Sequence, residues 1–186
     1  MIYTTVVWRE ATNALKAVTM QRLILMRHAK AEPAAGSGRD RDRVLAARGR
    51  TDAAAMGRAL AGRGIRPDLA LVSPAARTRQ TWDLLHDAFG DVQVREDEAL
   101  YNGEAETLRR FVEAAEDEAG CLMVVAHNPG VHLLAVEYLI ESAASPAVLD
   151  RMSGGFPPGA AAIFTVDVAG RCTFEGFIQP RDLGGE

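Results

Sequence analysis

Short apolar runs and longer amphipathic stretches follow one another along the chain, which indicates interleaved strands and helices. Consecutive apolar residues predict buried strands, and apolar residues three or four positions apart predict helices with one buried face. We predict strands at 22–26, 69–73, 92–95, 121–126, 160–168 and 172–178 and helices at 45–63, 75–89, 104–119 and 130–140. The last two strands flank Gly170 and are typical of a hairpin.

The order of these elements predicts an α/β fold. Because strands and helices alternate before the final strand pair, we expect three α/β/α layers around a mostly parallel central sheet with an antiparallel edge. We expect one domain over 20–180, with an N-terminal leader at 1–19 and a polar tail at 181–186. Translation from Met20 would leave the leader outside the native product, and an amphipathic arm for a partner or a membrane surface is the alternative.

Composition narrows the classes of function. The 186 residues are 48% hydrophobic and carry a formal net charge of -4, which argues against nonspecific nucleic-acid binding because that needs a basic surface. No apolar run approaches the roughly 20 residues that span a bilayer, so we expect no membrane partner. Cys121 and Cys172 lack metal-ligand or redox spacing, and we expect buried free thiols in a reducing cytoplasm.

Three of the predicted strands end in side chains that can carry chemistry. The first runs into Arg27 and His28, the second into Ser73 with Arg77 on the next helix, and the fourth into His127. Because the carboxyl ends of parallel strands meet at one edge of a sheet, we expect these side chains to converge there. A histidine can act as a nucleophile, and an arginine can hold a phosphoryl group with a rigid fork of donors. The pattern therefore predicts a phosphoryl-transfer site.

Other polar residues near these strand ends lead to smaller expectations. Asn128 is expected to cap the helix that follows the fourth strand, with Pro129 in its first turn. His86 and His132 receive no chemical role, and the four histidines show no zinc spacing. We therefore expect no metal and no cofactor. For Arg79, on the second helix, we expect a surface ion pair.

Three motifs, in this order, resemble those of the histidine phosphatase superfamily and, within it, the small SixA-like phosphohistidine phosphatases. They are Arg27-His28-Ala29, which has alanine in place of the usual glycine, Ser73-Pro74-Ala75-Ala76-Arg77-Thr78-Arg79-Gln80-Thr81, and Ala126-His127-Asn128-Pro129. The resemblance covers about 20–177 and implies a phosphoglycerate-mutase-like fold. It is specific because the motifs occur together.

The resemblance implies a role for each residue. His28 would attack phosphorus and form a phosphohistidine that water hydrolyses, Arg27 and Arg77 would clamp the phosphoryl oxygens, and His127 would stabilise charge in the transition state. Arg43 would help to bind the phosphate, since its loop resembles the family's loop. Val44 and Ala46 replace the proline and threonine usual there, so the hydroxyl that would cap the next helix is missing.

The proton donor for the leaving group is not evident. Larger members of the superfamily place an acid in a helical insertion over the site, whereas the acidic residues at 96–106 lie in a short stretch. An imidazole leaving group has a conjugate pKa near 6.5 and needs less protonation than an alkoxide, which favours phosphohistidine as the substrate.

We therefore expect a phosphatase that acts on a phosphohistidine-bearing protein, such as a phosphotransfer domain or a phosphocarrier. A small-molecule phosphomonoesterase or mutase of the same superfamily is the first alternative. An inactive module that binds phosphorylated ligands is the second, and the presence of both histidines and both key arginines argues against it.

Overall fold

The computed structural model describes residues 19–184, which form one mixed sheet with helices on both faces. The strands are β1 (Arg22–Arg27), β2 (Leu69–Val72), β3 (Gln93–Glu96), β4 (Cys121–Ala126), β5 (Ala161–Val166) and β6 (Cys172–Ile178). The helices are α1 (Ala47–Gly62), α2 (Ala76–His86), α3 (Ala105–Ala114), α4 (Gly130–Glu141) and α5 (Pro146–Ser153). Short 3-10 turns lie at Asp40–Asp42, Glu98–Leu100 and Pro180–Leu183.

The sheet has the order β3-β2-β4-β1-β5-β6. Strands β1 to β4 run parallel, and β5 pairs antiparallel with both β1 and β6. The predicted α/β fold with an antiparallel edge is therefore confirmed.

Successive residues of the central strands supply two separate hydrophobic cores, because side chains alternate between the faces of a sheet. Leu23 and Leu25 of β1 pack with α3, α4 and α5 on one face, and Ile24 and Met26 pack with α1 and α2 on the other. The central strands are consequently buried from both sides, as their continuous apolar sequences predict.

Two local expectations were wrong or incomplete. The sequence analysis missed α5, although Pro146 occupies its first turn. Asn128 does not cap α4: the residue at the cap position is Pro129, and the Asn128 amide donates instead to the Phe156 carbonyl at 3.1 Å. The Asn128 side chain therefore binds the loop after α5 and not the first turn of α4, where the sequence pattern placed it.

The predicted leader lies almost entirely outside the described residues. The first strand is anchored just before its start, since Met20 is buried and its backbone N–H donates to the Glu116 carbonyl at 2.9 Å. At the other end, the turn at Pro180–Leu183 is held by mutual hydrogen bonds between Gln179 and Asp182. None of the helices within 19–184 is long and apolar enough to cross a membrane.

Candidate active site

The register of the sheet aligns three strand ends. Met26 of β1 and Val72 of β2 both pair with Val125 of β4, so the residues that follow these three positions leave the sheet side by side. Ser73 continues this pattern by donating its backbone N–H to the Val125 carbonyl at 3.0 Å. The convergence that the sequence predicts is therefore built by the pairing of strands far apart in the chain.

His28 lies at the centre of this edge and is 9% exposed. Its Nδ1–H donates to the carbonyl oxygen of Ala29 at 2.8 Å, because a carbonyl can only accept. The lone pair of a neutral His28 ring is consequently on Nε2. The His28 and His127 ring centroids are 5.2 Å apart. The site thus holds one imidazole with a fixed tautomer and a second imidazole beside it.

His127 is buried and is held from two sides. Its Nε2 is hydrogen-bonded to the Ser73 hydroxyl at 2.7 Å, and the edge of its ring meets the Tyr101 ring at a centroid distance of 5.6 Å. Nδ1 is buried and has no partner among the described residues. A buried polar atom without a partner is costly, and a phosphoryl oxygen would supply one.

Three arginines flank the imidazoles. Arg27 donates from Nη1 to the Phe156 carbonyl at 2.9 Å, and its buried Nε has no partner among residues 19–184. Arg77, in the first turn of α2, is buried and donates to the Asp40 backbone carbonyl at 2.8 Å and to the Asp40 carboxylate at 3.0 Å. Arg43 donates to the same carboxylate at 2.8 Å.

Asp40 and Tyr101 are the two residues of this cluster that the sequence analysis did not find. The Asp40 carboxylate accepts hydrogen bonds from Arg43, Arg77 and the Tyr101 hydroxyl, the last at 2.8 Å. Hydrogen bonds from Arg43, then from Tyr101, hold the pKa of Asp40 well below its usual range. Neither residue follows a strand end or a motif, so no local signal marked them.

His28 and His127 are neutral at pH 7. Burial lowers the pKa of His28 to about 4, and the positive charges of Arg77, Arg27 and Arg43 act in the same direction. Burial lowers the pKa of His127 to about 3, with His28 and Arg77 adding to the effect. A neutral imidazole is the nucleophilic form, so the His28 ring has the protonation state that a nucleophilic role would need.

Hydrogen bonds between α2 and the loops around it fix these positions. The Thr81 hydroxyl donates to the Arg77 carbonyl at 2.6 Å and accepts from the Ala29 N–H at 3.0 Å, which ties α2 to the segment after His28. Gln80 accepts from the Leu45 N–H at 2.8 Å and ties α2 to the segment after Arg43. The polar residues of the second motif therefore hold the site together.

The remaining polar residues singled out from the sequence lie around this cluster. Arg79 forms an ion pair with Glu96, as expected for a surface arginine. Ala46 is the cap residue of α1 and makes no side-chain cap, which agrees with the missing hydroxyl. Of the acidic stretch, Glu98 pairs with Arg41 at 2.6 Å. Within 19–184, no cluster of histidine, cysteine and acidic side chains could hold a metal ion.

Comparisons with known proteins point to one family. A family model for the histidine phosphatase superfamily, branch 1, matches residues 23–120. An uncharacterized protein of Mycobacterium tuberculosis is 35% identical over 162 residues, which cover 84% of this chain and 100% of the relative.

Two solved structures extend the comparison to three dimensions. A protein of Agrobacterium tumefaciens, provisionally assigned as the phosphohistidine phosphatase SixA, is 31% identical with a TM-score of 0.77, over 87% of this chain and 99% of its own. A phosphoglycerate mutase of Plasmodium falciparum is 18% identical with a TM-score of 0.59, over 86% and 91% of the two chains, and shows the fold alone.

Proposed function

The chain belongs to branch 1 of the histidine phosphatase superfamily, and from that premise we propose that it removes phosphate from phosphohistidine on proteins. The observation that carries the proposal is the His28 ring, neutral and with Nε2 free, beside His127 and the guanidinium groups of Arg27 and Arg77. Positive donors around a neutral nucleophile suit a phosphoryl group, since such transfer depends on positioning and electrostatics.

The first step forms a covalent intermediate. His28 Nε2 gives its lone pair to phosphorus, the P–N bond to the substrate histidine breaks, and that bond's electron pair leaves with the substrate imidazole. Arg27, Arg77 and His127 hold the three phosphoryl oxygens while charge shifts onto them. In the second step water attacks phosphorus, the P–N bond to His28 breaks, and inorganic phosphate departs.

The nature of the nearby carboxylates supports phosphohistidine over an alkyl phosphate. Among residues 19–184, Asp40 is the one carboxylate hydrogen-bonded to the arginines of the cluster, and its lowered pKa leaves it without a proton to donate. Glu96 and Glu98 are already paired with Arg79 and Arg41. An imidazole can leave without strong protonation, whereas an alkoxide cannot.

The similarity to the A. tumefaciens protein, provisionally a SixA phosphatase, favours the same substrate class. A direct test offers the purified protein three substrates: a phosphocarrier or phosphotransfer domain phosphorylated on histidine, an aryl phosphate and phosphoglycerate. We expect turnover of the first two and almost none of the third. Rapid turnover of phosphoglycerate with none of the phosphoprotein would favour the small-molecule phosphomonoesterase, and binding without turnover would favour an inactive module.

A further inference from the structure

A cleft next to the candidate active site is lined in part by Arg27. It encloses about 420 Å³, and its charged or titratable lining consists of Arg27, His132, Arg151 and Arg181, hereafter the arginine cleft. The other residues that line it are uncharged. His132 Nε2–H donates to the Met152 carbonyl at 2.9 Å, which leaves Nδ1 of a neutral ring as an acceptor.

Positively charged side chains outnumber carboxylates around the arginine cleft. Arg151 and Arg181 share Asp182, at long distances of 3.4 and 3.9 Å, and their side chains are 56% and 74% exposed. The Asp182 carboxylate also accepts the backbone N–H of Gln179 at 3.2 Å. Because Asp182 is shared in this way, both guanidinium groups keep N–H donors that can bind another anion.

The arginine cleft continues into a second cleft that suits a polypeptide. The second cleft, about 350 Å³, shares Pro157, Gln179 and Arg181 with the first and is also lined by Pro158 and Pro180. Its lining combines these three prolines with charged side chains, those of Lys30, Arg48, Asp52 and Arg181. A chain that passes over both clefts could therefore present an acidic side chain to the arginines while its backbone lies against the prolines.

We propose that the arginine cleft binds a carboxylate of the substrate protein, an aspartate or glutamate close to the phosphohistidine. This inference rests on the proposed function and deepens it. Arg27 lines the arginine cleft and directly precedes His28 in the chain, so the cleft adjoins the place proposed for the phosphoryl group. The guanidinium fork of Arg151 or Arg181 matches a carboxylate. The site therefore selects its substrates by a charged neighbour as well as by the phosphoryl group.

The test compares two phosphohistidine peptides that differ only in glutamate or glutamine beside the phosphohistidine. The wild type is expected to cleave the acidic peptide with about three- to tenfold higher kcat/KM, a range set by partly exposed charge pairs. The double variant Arg151→Gln, Arg181→Gln is expected to lose this preference and keep its rate on the neutral peptide. Added salt is expected to reduce the preference of the wild type.

Arg171→Gln is the control for loss of surface charge, because it removes one positive charge at the opposite end of the sheet, where Arg171 pairs with Asp167. It should leave both peptides unaffected. Equal kcat/KM for the two peptides in the wild type would overturn the proposal, as would an equal loss on both peptides in the double variant.

A binding measurement separates this proposal from the proposed function. Calorimetry with carboxyalkylphosphonates of two to five methylene groups, each beside the matching alkylphosphonate, requires no turnover. We expect the wild type to bind at least one carboxylated ligand about three- to tenfold more tightly than the matching neutral ligand. The double variant is expected to bind the two ligands of that pair equally. If no phosphohistidine peptide is cleaved but this difference is found, the proposed function fails and the arginine cleft stands. Equal affinities throughout would overturn the arginine cleft.

Discussion

At the scale of single residues, His28 carries the proposed chemistry. His28→Asn should lower turnover by about 10³-fold or more, because the nucleophile and the covalent route are lost together. After reaction with labelled substrate, an acid-labile and alkali-stable phosphoenzyme should form with the wild type and not with the variant. His86→Asn is the matched control, since His86 lies on α2 and packs against Trp82. Substantial turnover by His28→Asn with an unchanged Tm would exclude His28 as the nucleophile.

The two lowered histidine pKa values make the free energy of unfolding depend on pH. In the unfolded chain His28 and His127 take up protons near pH 6.5, whereas in the native state they do so only near pH 4 and pH 3. The unfolded state thus binds more protons between pH 6.5 and 4, and stability falls as the pH drops through that window. We expect each ring to lower the free energy of unfolding by up to about 1.4 kcal/mol for each pH unit of acidification.

Urea denaturation between pH 7 and pH 4 measures this slope. The double variant His28→Gln, His127→Gln is expected to show a flatter profile, because glutamine takes up no proton, and the difference between the profiles removes the contribution of all other groups. Identical slopes in the two proteins would contradict the buried, neutral state of the rings.

Asp40 competes with the substrate for positive charge. Its carboxylate accepts hydrogen bonds from Arg77 and Arg43, which the resemblance assigns to phosphate binding. Asp40→Asn removes the negative charge and keeps the acceptor oxygen, so inorganic phosphate should inhibit aryl phosphate hydrolysis about three- to tenfold more strongly. Asp42→Asn, in the same turn but paired with Arg39, should leave inhibition unchanged. Weaker inhibition in Asp40→Asn would show that Asp40 mainly positions Arg77.

At the scale of elements, α4 meets the loop that carries Tyr101 without space for a side chain. A Cβ on Gly130 would lie 2.0 Å from the Gly103 carbonyl oxygen, so either the start of α4 or the loop must move. Gly130→Ala should lower the free energy of unfolding by about 1–3 kcal/mol and also reduce kcat, since both elements border His127. Denaturant melts and kinetics on one preparation measure both effects.

Gly62→Ala is the control for this substitution. Gly62 ends α1 and has open space around the added methyl group, so the variant should be as stable as the wild type or slightly more stable. If Gly130→Ala behaved like Gly62→Ala, the close approach of α4 to Gly103 would be wrong.

The elements also show what the sequence could predict. Apolar runs marked the buried central strands, and the residues after these three strands, among them His28 and His127, were found at the site because strand ends share an edge. Asp40 and Tyr101 escaped because they reach Arg77 from loops whose paths depend on contacts distant in sequence. Asn128 was misassigned for the same reason, since the Phe156 carbonyl outcompeted the local helix end.

At the scale of the whole molecule, the segment of residues 19–184 that joins β3 to α3 is short and holds one 3-10 turn, so leaving groups should govern the rates. The acids after β3 should contribute little: Glu98→Gln, Glu104→Gln and Glu106→Gln are each expected to change kcat with phosphohistidine by less than about threefold. Across a series of aryl and alkyl phosphates the rate should fall steeply as the leaving group becomes more basic. If one of these variants loses orders of magnitude on alkyl phosphates, that residue is a general acid and the small-molecule function is the better one.

The strand order has a consequence for how the protein becomes active during folding. β1 and β2 do not pair with each other, because β4 lies between them. The mutual placement of His28 and Arg77 therefore depends on β4 as well as on the hydrogen bond between Ala29 and Thr81, and we expect the entry of β4 to be slow because it closes two long loops. During synthesis the first two motifs leave the ribosome well before β4 does. Recovery of turnover on refolding should thus trail the recovery of helical signal and report the insertion of a single strand.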